Sequence, residues 1–116
     1  GTAQNISNVS YQLLIYANTL QLTEQQKESL SAIREKYVYP IAKKETDHYI
    51  AIMKVRSLMQ DPNFDVDQVK KETKILEEIA IDMAYMSIDA MAEIRSIVGI
   101  ENLKTILSML GQEGKK

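Results

Sequence analysis

Residues 66 to 98 carry the pattern that most narrows what this chain can become. Val69, Thr73, Leu76, Ala80, Met83, Ser87, Ala90, Ile94 and Ile97 recur at alternating steps of four and three. That is the heptad spacing of a long helix with a buried seam. The same run has Ile75, Ile79 and Met86 on one flank, and Ile81, Tyr85 and Ile88 on the other. One partner helix cannot cover that circumference, so further helices of the chain or a second copy must contribute. Leu76, Met83 and Ile94 mark the seam, either as core or as a dimer contact.

A second long element is expected upstream. From Thr23, apolar or semi-apolar positions recur at Leu30, Ile33, Tyr37, Ile41, His48, Ile52, Val55 and Met59. A helix from 24 to 60 would be about 55 Å long. Pro40 lies inside it, where proline removes one hydrogen bond and crowds the preceding turn. The periodicity continues on both sides, which favours a kink at Pro40. A break at Tyr39 is the alternative, because the residue before proline is pushed away from helical geometry.

Gln60-Asp61-Pro62-Asn63-Phe64 reads as the turn between these two helices, with Asp65 capping the next one and Gln68 as its reciprocal partner. Gly99 reads as the stop of that helix. Short helices are expected over about 8 to 20 and 100 to 110. Residues 1–7 read as a disordered lead-in and 111–116 as a disordered tail, leaving one helical domain over 8–110. The fold class is all-α: a long antiparallel helical hairpin flanked by short N- and C-terminal helices, forming a curved dimer.

Composition bears mainly on function. With 116 residues the chain has room for one modest core. A formal net charge of −2 offers no general attraction to nucleic acid or an anionic membrane. There is no cysteine, which rules out disulfides and thiol catalysis. No stretch approaches the roughly 20 apolar residues of a membrane span. The chain opens Gly1-Thr2-Ala3 without Met, which reads as a start from which the natural N-terminus has been removed, with Gly1 as a tag remnant, and is compatible with a lost signal peptide or anchor.

Chemistry-bearing residues are sparse. His48 is the single histidine and lies mid-helix, and no nucleotide-binding or HExxH motif is present. The expectation is therefore no enzyme and no catalytic residue. One metal reading remains open. Asp82, Met86, Asp89 and Glu93 are spaced four, three and four apart, and with His48 they could hold a divalent transition metal. The competing reading makes Asp89 and Glu93 a solvated helix face, Met86 a packing residue and His48 a half-buried side chain. The paired i, i+4 histidines of a strong metal site are absent.

Leu22-Thr23-Glu24-Gln25-Gln26 contains a capping box, with Thr23 at the N-cap and Gln26 three residues on. Together with Leu58, Asp61-Pro62 and Asp65 at the turn, this layout resembles the LTxxQ family of bacterial periplasmic proteins. That family includes Spy-like and CpxP-like envelope-stress chaperones and regulators, heavy-metal-resistance sensors and zinc-resistance proteins. Its usual second motif would fall at Val98-Gly99-Ile100-Glu101-Asn102, where Gly99 and Asn102 replace Thr and Gln. The resemblance implies a periplasmic, curved, all-helical homodimer that binds misfolded proteins or a membrane sensor protein. It also admits metal sensing, though the family's additional histidine ligands are missing here.

Overall fold

The computed structural model describes the backbone of residues 1–114 and the side chains of residues 1–111. Five α-helices follow in order: α1 (Thr2–Ile15), α2 (Glu24–Ile33), α3 (Tyr39–Met59), α4 (Val66–Val98) and α5 (Ile100–Gly114). A π-helical turn over Arg34–Val38 joins α2 to α3 without interruption, so the described residues form four helical bodies. No strand occurs among the described residues.

The π-turn is how the chain accommodates Pro40. Proline has no N–H to offer the Lys36 carbonyl, and its ring crowds that carbonyl in a regular helix. Here the Tyr39 N–H donates to the Arg34 carbonyl, five residues back. The helix widens locally and does not break at Tyr39. There is a second consequence, for phase. Ile33 and Ile41 are both buried. Eight residues of regular α-helix would rotate Ile41 about 80° from Ile33, whereas seven would nearly restore the face. A π-turn absorbs one residue, and Ile41 returns to the core.

The core sits at one end of a particle measuring 62 × 31 × 17 Å. Its buried side chains are Ala3, Ile6, Val9 and Leu13 of α1, Ala17 and Leu22 of the following turn, Leu30 and Ile33 of α2, Ile41 of α3, Ala90, Ile94 and Val98 of α4, and Leu103 and Ile106 of α5. Among the described residues the only buried polar one is Ser10, whose hydroxyl donates to the Ser7 carbonyl at 3.1 Å.

The N-terminal expectation needs correction. Residues 1–7 are not a disordered lead-in: α1 begins at Thr2, and Ile6 is fully buried. The Ala3 N–H donates to Glu45 Oε1 of α3 at 2.7 Å, so a carboxylate from a distant helix supplies the cap that local sequence lacks. α1 also stops at Ile15, and residues 16–21 form a turn in which Gln21 adopts φ 58°. At the other end, the expected tail is helical to Gly114, and its last two residues lie outside the described ones.

α3 and α4 lie side by side. Ion pairs Lys44–Asp82 and Lys54–Glu72 link them, and Lys36 of the preceding π-turn pairs with Glu93; one number rises as the other falls, so the two helices run antiparallel. At the turn, Asp65 accepts the Gln68 N–H at 3.1 Å. Only this half of the expected reciprocal box forms among the described residues; the N-cap of α4 is the Asp65 carboxylate alone.

Candidate functional site

Two regions stand apart from ordinary packing. The first is the junction where α2 begins and α4 ends. Thr23 takes extended backbone angles, φ −74° and ψ 164°, and its Oγ1 accepts the Gln26 N–H at 3.1 Å. Gln26 Oε1 accepts the Thr23 N–H at 2.7 Å, completing the box. The other half of the same amide is also used: Gln26 Nε2 donates to the Ile97 carbonyl at 3.0 Å. A helix leaves its last four carbonyls without helical donors. In α4 one of these, Ile97, is satisfied by a side chain from the start of α2.

The second motif position works differently from the first. Gly99 has φ 87°, a conformation open to glycine and costly for threonine. Its N–H is already committed to the Arg95 carbonyl at 2.8 Å. The half of a reciprocal box that would serve the N–H of residue 99 therefore finds that donor already taken. Asn102 Nδ2 instead donates to the Val98 carbonyl at 3.0 Å. Arg95, Ile97 and Val98 therefore all have partners, and the α4 end is closed from two directions. Leu22 and Val98 join the same apolar cluster beneath it.

The second region is the limb formed by the outer parts of α3 and α4. No side chain between Ile41 and Ala90 is fully buried. The limb instead exposes Tyr49, Ile50, Met53, Met59, Phe64, Ile75, Ile81, Tyr85 and Ile88, several of them beyond 50%. Among them stand the lysine–carboxylate pairs. Glu93 raises the Lys36 ammonium above its ordinary value of 10.5, chiefly through their hydrogen bond.

The proposed seam residues face inward. Ile94 is fully buried, and Leu76 and Met83 are half-buried on the side of α4 that α3 covers. The candidate metal residues are not gathered. Asp82 is 3.5 Å from Lys44, Glu93 is paired with Lys36, Met86 packs against the core, and Asp89 is exposed. His48 is half-buried on α3. Among the described residues, no three of His, Cys, Asp and Glu converge as a metal would require.

Sequence reasoning missed two participants. Ile97 contributes through its backbone carbonyl, which no side-chain pattern reports. Glu45 caps α1 from another helix, 42 residues away, a contact that no local pattern around it reports. Among the described residues, no helix is long and apolar enough to cross a membrane. Comparison with protein-family models, with curated proteins and with solved structures returns no match.

Proposed function

We propose that this chain is a non-enzymatic binding protein of the LTxxQ type, a dimeric helical hairpin of the bacterial periplasm. In this reading it holds exposed segments of misfolded proteins, or a membrane sensor protein, in envelope stress or metal resistance. The limb is the observation that carries the reading. Isolated apolar side chains on a soluble surface are ordinary, but a run of them along two helices with no buried core beneath is not. Tyr and Met are suited to adaptable contacts, and the interleaved charges limit indiscriminate association. The Thr23–Gln26 box supports the family reading, since its side chains tie the base of the limb together.

The test is suppression of aggregation of a chemically denatured client at equimolar dimer. The full chain is expected to suppress it. A Tyr49→Ser, Ile50→Ser, Met53→Ser variant is expected to lose suppression with its helical content unchanged, because all three side chains are exposed. No suppression by the full chain overturns the client-holding reading.

A further inference from the structure

The outer face of α4 is a stripe whose spacing is its own mirror image. Glu78, Ile81, Tyr85, Ile88, Ala92 and Arg95 follow at steps of three, four, three, four and three. All six are exposed, with Ile81 at 51%, Tyr85 at 64% and Ile88 at 63%. The stripe lies on the side of α4 away from the inward seam of Met83, Ala90 and Ile94, so α3 does not cover it. Steps of three and four are what one helix needs to pack along another.

We propose that the occupant of this stripe is a second copy of the chain, laid antiparallel about a two-fold axis between Tyr85 and Ile88. The proposal rests on the dimeric reading and assigns its interface. A palindromic spacing matches its reversed self layer by layer. Tyr85 meets Ile88 of the second copy, Ile81 meets Ala92, and Glu78 meets Arg95. The two-fold repeats each layer once. The terminal layers decide the direction. Antiparallel packing sets Glu78 against Arg95 at both ends, whereas parallel packing would set Glu78 on Glu78 and Arg95 on Arg95. Neither side chain has an ion-pair partner among the described residues, so both are free to serve. The same arrangement brings Asp82 and Asp89 of the second copy onto one rim, where Lys44, 3.5 Å from Asp82, offsets the accumulated charge.

The contact is small, which points to a weak association. The stripe is about 25 Å long and about 10 Å wide, well short of the roughly 800 Å² per partner of a standard interface. A Kd of roughly micromolar or weaker is the expected outcome. Sedimentation of the full chain from about 5 to about 500 μM, a range chosen to bracket that Kd, should show mass rising from monomer towards dimer. Ile88→Glu should weaken association at least roughly 100-fold, since the two-fold buries the new charge twice. Arg95→Glu and Glu78→Arg should each weaken it roughly 10-fold, and the double swap should restore it. Each variant's helical content by circular dichroism should match the parent. A dimer indifferent to Ile88→Glu, or single swaps that the double swap does not rescue, overturns this interface and leaves the dimeric reading standing. A monomer mass throughout the range overturns both.

Discussion

The amide of Gln26 bonds the Thr23 N–H with its oxygen and the Ile97 carbonyl with its nitrogen, joining the first turn of α2 to the last turn of α4. This double use explains why glutamine, and not the equally good cap glutamate, suits the position. Glutamate could accept from Thr23 but has nothing to donate to Ile97. Its charge would favour the α2 N-terminus and disfavour the α4 C-terminus by similar amounts, so the macrodipole terms largely offset. The lost bond remains. Gln26→Glu is expected to lower stability by about 1–2 kcal/mol, against about 1 kcal/mol for Thr23→Ala, which removes the cap alone. Urea unfolding of the two variants checks the order. A Gln26→Glu protein as stable as the parent would remove Ile97 from the account.

The π-turn makes an unusual deletion tolerable. Removing Glu35, an exposed residue, together with Pro40→Ala should convert residues 33–41 to regular α-helix and keep Ile33 and Ile41 on one face. The doubly altered protein is expected to fold with helical content equal to the parent's. Deleting Glu35 while keeping Pro40 forces proline into a regular helix interior, at a cost of about 3 kcal/mol. Thermal melts monitored by circular dichroism read both. A deletion variant that unfolds even with Pro40→Ala would show that the π-turn does more than absorb a residue.

Ile6 is fully buried in the base. Ile6→Ala is expected to cost about 2–5 kcal/mol in denaturant unfolding, the usual range for emptying such a position. A cost below about 0.5 kcal/mol, the level of an ordinary surface change, would mean that α1 is not part of the core.

Lys36 titrates above 10.5 because Glu93 favours its charged form. The folded value therefore exceeds the unfolded one. The stabilisation is fully present below about 10.5 and is lost as pH rises through the folded value. Lys36 is largely exposed, so salt should weaken the pair as well. The Lys36 side-chain carbon shift, followed by NMR against pH, should show a midpoint above 10.5 that falls in Glu93→Gln. An unchanged midpoint in that variant would assign the shift elsewhere.

The long helices were the legible part of this chain. Heptad spacing marks α4 from Val66 to Val98, Asp65 and Gly99 bracket it, and the Thr23 box marks α2. The less legible features depend on partners far away in sequence. The first turn of α1 carries only Ala3 and Ile6 among polar neighbours, too few to show a period, and its cap comes from Glu45. The π-turn was visible only as a conflict between Pro40 and a continuing pattern. At the candidate site, Thr23 and Gln26 were legible as a local cap, while the bond to Ile97 spans 71 residues. The metal candidates share one helix face by spacing, yet Lys44 of α3 and Lys36 of the π-turn draw Asp82 and Glu93 into ion pairs.

The absence of fully buried side chains between Ile41 and Ala90 gives the molecule two tiers of stability. Helical amides in the limb rest on two-helix contact and local propensity, whereas those around Ile6, Ile33 and Ile94 open only when the base comes apart. The limb can therefore fray and re-form while the base stays shut. Its amide protons should exchange with solvent through openings of lower free energy than those of the base, making the limb a separate cooperative unit on an anchored foundation.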